Sequence, residues 1–307
     1  MMTPPFDRRA IPAELRFTMW GARDGGRLRA FAWRQRDGTA VRGQLLFQTG
    51  RADFAEKYLE TLAHWHARGW NVAGFDWRGQ GGSQQPAGEI PDLATMLSDL
   101  RDFVRAWRGQ GSGPHVAIGH SMGGHLLLRM MVEDSGAIDA AVLVAPMLAL
   151  NSRPLPSWIA SRIARLACAI GQGHRAVWNT GAGAAGRQAR LTGDADRYSD
   201  ELYWMARNPG FAVQPPRWDW LAEAYAANAR LARRGVLERI AVPILLIGAT
   251  QDRLVDADAI RSAAARLPQA EIMMRADAAH ELLREVDPVR NAVLARIDGF
   301  LDAFGPA

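Results

Sequence analysis

The sequence predicts an α/β protein, a mostly parallel sheet with helices on both faces. Two observations carry that expectation. Short, nearly unbroken apolar runs recur along the chain, as strands buried on both faces require, and amphipathic stretches with helical spacing separate them. The alternation also stops after residue 146 and resumes after residue 238, which marks an insertion and not a second fold.

Taken in order, the first sixty residues hold three strand candidates, 15–20 (LRFTMW), 27–33 (RLRAFAW) and 41–49 (VRGQLLFQT), divided by the turn-rich RDGG and RQRDG. Within 54–68, Tyr58, Leu59, Leu62 and Trp65 recur at helical spacing, and NVAGFD (71–76) reads as a buried strand. Met96, Leu97, Leu100, Phe103, Val104 and Trp107 place a helix over 94–107, followed by the strand HVAIG at 115–119. A helix through Leu126, Leu127, Met130 and Met131 leads to the strand AAVLVAP at 140–146. The closing segments are VPILLIG (242–248), a helix over 257–267, EIMMRA (271–276) and a helix over 288–304.

Between Met147 and Leu237 the sequence is helix-like with no strand pattern, broken by Pro154, Pro156, TGAGAAG and Pro215-Pro216. The expected organisation is a core in two parts, 1–146 and 239–307, with 147–238 as a helical lid over the strand ends. That insertion carries the charge imbalance. It has 12 Arg against 7 Asp+Glu, a net of +5, which equals the net charge of the whole 307-residue chain.

Several function classes fall away on composition. Of 37 basic residues only Lys57 is a lysine, no block of five or six like charges occurs, and no nucleic-acid module is recognisable, so no nucleic-acid partner is expected. No stretch approaches the length of a membrane-spanning segment or a signal peptide, and the single cysteine, Cys168, has no partner for a disulfide. These features suit a cytoplasmic protein, and no metal or organic cofactor is implied.

The chemistry concentrates at Gly119-His120-Ser121-Met122-Gly123. A G-x-S-x-G string is weak evidence alone, but here it follows a predicted strand and opens a predicted helix, the context in which the serine stands on a sharp turn. A serine hydroxyl needs a base, and the base an orienting acid. Asp252 and His280 each lie just beyond a later strand, in the chain order Ser, Asp, His. Asp256 and Asp258 are alternative acids, though both sit where a helix begins and suit capping. Asp277 is too close in sequence to His280 to orient it. Of the other histidines, His120 and His125 flank the serine and read as packing or polar-network residues, while His64, His66, His115 and His174 lie elsewhere.

With these residues identified, the chain resembles the α/β-hydrolase fold, and within it the group of monoacylglycerol lipases and lysophospholipases, with the bacterial lysophospholipase L2 branch nearest. The strings that carry the resemblance are Gly50-Arg51-Ala52-Asp53, Glu56-Lys57-Tyr58, Asp76-Trp77-Arg78-Gly79-Gln80-Gly81-Gly82-Ser83, the serine turn, Ala145-Pro146-Met147 and His280-Glu281-Leu282-Leu283. The resemblance implies an acyl-enzyme formed on Ser121 with His280 as base and Asp252 as its orienter. It also implies an oxyanion hole of the backbone N–H groups of Arg51 and Met122. Thr49 stands where many of these lipases have histidine, Asp53 where glutamate is usual, and Gln80 where the broader group has histidine, the last favouring the lysophospholipase branch.

The insertion offers the substrate clue. Along SWIASRIARLACAI, Ile159, Ile163, Leu166 and Ile170 share one helical face while Trp158, Arg162 and Arg165 cluster to one side. Such a basic amphipathic helix suits peripheral contact with an anionic membrane or an acyl pocket, the alternative being a face packed on the core. Trp178, Trp204, Trp218 and Trp220 are read as pocket or core residues. The expected substrate is a lipid or small ester, a lysophospholipid first, with monoacylglycerol, other carboxylic esters and thioesters as alternatives. A ligand-binding protein of the same fold without catalysis is the rival from another class.

Overall fold

The computed structural model describes residues 6–83, 92–177 and 184–305. Its frame is one eight-stranded sheet: β1 (Arg16–Gly21), β2 (Arg27–Trp33), β3 (Gly43–Gln48), β4 (Trp70–Phe75), β5 (His115–His120), β6 (Ala140–Val144), β7 (Ile244–Ala249) and β8 (Ala270–Arg275). The spatial order is β1-β2-β4-β3-β5-β6-β7-β8. β2 runs antiparallel to both β1 and β4, and every pairing from β4 through β3 to β8 is parallel.

Burial follows position in the sheet. β3, β5, β6 and β7 are buried at every residue, which is why their sequences read as continuous apolar runs. β8 does not match the buried strand that EIMMRA suggests: it closes one edge, and its Ile272 is exposed. β1 closes the opposite edge and is mostly exposed.

The core helices are α1 (Leu59–His66), α2 (Leu93–Arg108), α3 (Met122–Glu133), α8 (Ala257–Ala264) and α9 (Asp287–Leu301). The segment expected as one helix over 54–68 is split, a 3-10 turn at Ala55–Tyr58 preceding α1. Glu56 and Lys57 on that turn face inward to ion pairs, a placement a solvent-facing helical stripe would not give them.

The helices α4 (Ser157–Ala169), α5 (Ala184–Leu191), α6 (Ala195–Arg207) and α7 (Trp218–Leu231) lie between β6 and β7. Asp194 caps α6 by accepting from the Arg197 N–H at 2.9 Å. α4 buries only Ala164; Ile163, Leu166 and Ile170 are 40%, 62% and 64% exposed. Packing of its apolar face on the core is therefore not what the fold does.

The parallel order reverses around β3: β4 lies on one side and β5 on the other. Ligands of open α/β sheets bind outside the carboxyl ends of strands at such a switch point. Gly50-Arg51 and Ser121 follow β3 and β5 there.

Candidate active site

Ser121 sits on the turn between β5 and α3 with φ 52° and ψ −115°, a backbone conformation that a residue with a side chain rarely holds. The turn is fastened on both sides. Ser121 N–H donates to the Val144 carbonyl at 2.9 Å, and the Ser121 carbonyl accepts from His125 N–H at 3.1 Å and Met147 N–H at 3.0 Å. The flanking glycines are dictated by close approach. A Cβ on Gly119 would stand 2.7 Å from Gly124 N, and one on Gly123 would stand 2.5 Å from the Thr49 carbonyl oxygen and 2.6 Å from that of Gln48.

The later strands deliver the other two groups. His280 Nε2 lies 2.9 Å from Ser121 Oγ, and His280 Nδ1 lies 2.6 Å from Asp252 Oδ2. Asp252 Oδ1 accepts from the N–H groups of Leu254 at 2.7 Å and Val255 at 3.0 Å, which fixes the carboxylate. Burial disfavours the charged carboxylate, but His280 and these hydrogen bonds outweigh it and hold Asp252 below the ordinary range. Burial likewise pushes the His280 imidazole down, yet the charge and hydrogen bond of Asp252, then the charges of Glu281 and Asp53, raise it above the ordinary histidine value. Such an arrangement can accept a proton from a serine hydroxyl and hold the imidazolium that results.

The rejected candidates have other partners. Asp256 caps α8, accepting from the Asp258 N–H at 2.8 Å, and Asp277 pairs with Arg275 at 2.5 Å. His125 Nδ1 lies 3.0 Å from the Met147 carbonyl oxygen, and burial first, then Arg129, pushes its pKa down to about 3. His120 joins the polar network described below.

Met122 is the first residue of α3, so its N–H has no carbonyl one turn earlier and points out of the helix end. Arg51 follows Gly50, whose position is tight against the turn: a Cβ there would stand 3.2 Å from Ser121 Cβ and 3.1 Å from His120 Nδ1. Both proposed donors thus flank Ser121.

The loop holding Arg51 is built by residues whose sequence signal was only a motif. Ala52, at φ 62°, donates its N–H to Gln80 Oε1, Trp77 Nε1 donates to the Thr49 carbonyl at 2.8 Å, and Asp76 Oδ1 accepts the Ala55 N–H at 2.9 Å. Asp76 is pushed up to about 6 by burial, despite Arg29 beside it. The Asp-Trp-Arg-Gly-Gln string is therefore a brace for the loop after β3.

A second brace went unrecognised in the sequence. Asp53 Oδ2 accepts from Gly50 N–H at 3.0 Å and from the Tyr58 hydroxyl at 2.9 Å, and lies 3.4 Å from His120 Nδ1. Lys57 Nζ pairs with Asp53 at 2.5 Å, Glu281 at 2.6 Å and Glu201 at 2.9 Å, all buried. Arg284 adds a pair to Glu281. Burial opposes ionisation of Asp53, but Lys57 and then His120 keep its carboxyl well below the usual range. One lysine thus ties together the loop after β3, the residue following His280 and α6 of the insertion. The signal available in the sequence was that Lys57 is the single lysine.

The insertion residues distribute differently from the pocket reading. Trp158 is 58% exposed with the Arg162 guanidinium carbon 5.1 Å from its ring, and Arg165 is exposed beside them. All three are exposed on α4. Trp204 is core, its Nε1 donating to the Arg8 carbonyl at 3.1 Å, and Trp218 is half-buried at the start of α7. Trp220 lies under the Arg51 guanidinium, with 5.0 Å between the guanidinium carbon and the ring centre. Trp178 lies outside the described residues.

Fold and site together define an α/β-hydrolase with a Ser-His-Asp line at the carboxyl ends of its strands. A family model described as Hydrolase_4, "Serine aminopeptidase, S33", matches residues 39–287, and the chain belongs to that family. The "Probable lysophospholipase L2" of Haemophilus influenzae is 28% identical over 275 residues, covering 86% of this chain and 85% of that one. The "Lysophospholipase L2" of Escherichia coli is 28% identical over 277 residues, covering 82% and 78%. Among solved structures, a monoglyceride lipase from Saccharomyces cerevisiae superposes with a TM-score of 0.81 at 19% identity over 100% of both chains, which shows the shared fold. The chain is a hydrolase of this fold.

Proposed function

We propose that Ser121 is the nucleophile, His280 the general base and Asp252 its orienting acid in hydrolysis of a lipid ester, with a lysophospholipid as first substrate. The observation that carries the reading is the unbroken line of contacts, Ser121 Oγ to His280 at 2.9 Å and His280 to Asp252 at 2.6 Å. His280 takes the hydroxyl proton as Oγ attacks the ester carbonyl, then gives it to the departing alcohol; a water activated by the same imidazole releases the fatty acid. The N–H groups of Arg51 and Met122 stabilise the oxyanion, whose charge develops only in the transition state. No metal or cofactor enters this scheme.

Residues 147–238 serve as a lid in this reading, and the similarity over most of the chain to proteins named lysophospholipase L2 supports the head-group class. The exposed Leu166 and Ile170, with Trp158, Arg162 and Arg165 alongside, suit shallow insertion of α4 into an anionic membrane surface. Monoacylglycerol is the second reading, supported by a relative of that name in Mycolicibacterium smegmatis, 28% identical over 40% of this chain. The test is a panel of lysophosphatidylethanolamine, monoacylglycerol, p-nitrophenyl esters and an amino-acid p-nitroanilide. Preference for the lysophospholipid supports the proposal, preference for the neutral glyceride overturns its head-group part, and turnover of the anilide alone overturns the ester reading.

A further inference from the structure

The side chain of Arg51 has no part in the oxyanion hole, and its surroundings are unusual. It reaches from the loop after β3 toward the insertion, where Nη2 donates to the Gln214 carbonyl at 2.8 Å and the guanidinium carbon lies 5.0 Å from the Trp220 ring centre. Its Nε is buried without a hydrogen-bond partner. Burial pushes the group down to about 10, with no acidic residue acting against that.

Most enclosed arginines elsewhere in this protein are paired with carboxylates, the half-buried Arg129 of α3 being an exception with no ion pair among the described residues. Arg29 pairs with Glu56 and Asp76, Arg197 with Glu60, Asp194 and Asp287, and Arg284 with Glu281. Among the described residues, no carboxylate forms an ion pair with Arg51. A half-buried cation held by one carbonyl and one aromatic face, with its Nε buried and unpartnered, is costly, and on the loop whose Gly50 abuts Ser121 it marks a place where an anion completes the site.

The geometry selects which anion. Gly50 abuts Ser121, so Arg51 begins at the reaction centre, and its side chain carries the two Nη nitrogens six bonds from its own Cα. In a 1-acyl lysophospholipid the phosphorus likewise stands six bonds from the ester carbonyl carbon, a span of roughly 6 Å for either chain of bonds. A monoacylglycerol has a neutral hydroxyl in place of that phosphate.

We infer that the Arg51 guanidinium is the receptor for the head-group phosphodiester, which displaces the neutral Gln214 carbonyl and leaves Trp220 stacked behind the cation. Arg51 then contacts both ends of the reacting part of the substrate, the oxyanion through its N–H and the phosphate through its side chain. This rests on the lipid-ester reading above and adds the residue that distinguishes charged from neutral glycerides.

The test compares kcat/KM of the full-length protein for 1-acyl lysophosphatidylethanolamine and for 1-monoacylglycerol of the same chain length, in wild type, Arg51→Met and Arg51→Lys. A charge-assisted arginine–phosphate contact is expected to lower the ratio of the two by about ten- to a hundredfold in Arg51→Met, with part of it kept in Arg51→Lys. An unchanged ratio in Arg51→Met, whatever happens to both rates, overturns the inference. Competition against a p-nitrophenyl ester separates the sources of phosphate. Inhibition of wild type by sn-glycero-3-phosphoethanolamine and its loss in Arg51→Met support the head-group assignment, whereas inhibition by inorganic phosphate alone overturns it. Should Arg51→Met fail to fold, Arg51→Lys and the wild-type competition decide, absence of inhibition by the glycerophosphodiester counting against the inference. Failure of the hydrolase reading looks different, because wild type would then turn over neither ester.

Discussion

Lys57 and Glu201 meet at 2.9 Å with both side chains buried, and this contact joins the insertion to the loops that carry Gly50 and His280. Removing the lysine leaves Asp53, Glu201 and Glu281 facing one another with Arg284, between Glu281 and Glu201, and Arg187, paired to Glu201, as the remaining arginines. Stranding buried carboxylates in this way costs roughly 3–5 kcal/mol. Lys57→Met is therefore expected to lower the midpoint of denaturant unfolding well beyond the scatter of surface variants such as Arg36→Met. An unaltered midpoint would remove the cluster from the stability account.

Gln80 bears on rate more than on binding. Its Oε1 accepts the Ala52 N–H on the loop that presents Arg51, so Gln80→Ala leaves that donor unpaired and loosens one side of the proposed oxyanion hole. Because the hole acts on charge present only in the transition state, kcat is expected to fall about tenfold or more with KM little changed. Steady-state kinetics on a p-nitrophenyl ester check this; a rise in KM at constant kcat would assign Gln80 to substrate binding.

The acid limb of the pH profile should belong to His280. The base works only when neutral, so activity rises with pH as the imidazole loses its proton. Because Asp252, Glu281 and Asp53 raise that group against the opposing effect of burial, the limb in kcat/KM lies above the pH of an ordinary histidine. Asp252→Asn removes the largest of the raising influences, shifts the limb to lower pH, and costs about 10⁴-fold in rate by favouring the tautomer whose Nε2 already carries the proton. A limb that does not move in the variant would assign the titration to another group.

Gly123 tolerates no side chain for a steric reason. A methyl group there would press on the Gln48 and Thr49 carbonyl oxygens at 2.6 and 2.5 Å, both backbone atoms. Gly123→Ala is expected to cost about 1–3 kcal/mol and to displace the serine turn from the loop after β3. Thermal unfolding together with ester turnover tests it, and a variant with wild-type stability would show that the helix start has room to shift.

On α4, Leu166 and Ile170 expose the apolar part of the proposed membrane face. The double variant Leu166→Ser and Ile170→Ser is expected to reduce co-sedimentation with phosphatidylglycerol vesicles several-fold. Equal sedimentation of both proteins would place any membrane contact elsewhere.

The sequence was most readable where one force dominates. β3, β5, β6 and β7 are buried throughout, so their apolar runs stood out, and the order Ser121, Asp252, His280 followed from strand ends. Edge strand β8 was harder, because an apolar run does not reveal that one side faces water. The Lys57 cluster was hidden for another reason: Asp53, Lys57, Glu201 and Glu281 come from distant segments, and nothing local distinguishes a buried charge from a solvated one. The sequence marks Arg51 only through its backbone, since the partners that make its side chain notable, Gln214 and Trp220, belong to the insertion.

The most direct test of the central claim is reaction of the folded protein with a fluorophosphonate, read by intact mass and peptide mapping. A hydroxyl activated by His280 and Asp252 should give a single adduct on Ser121, absent in a folded Ser121→Ala variant that has also lost ester turnover. An adduct on a different residue, or ester turnover retained by Ser121→Ala, would contradict the account.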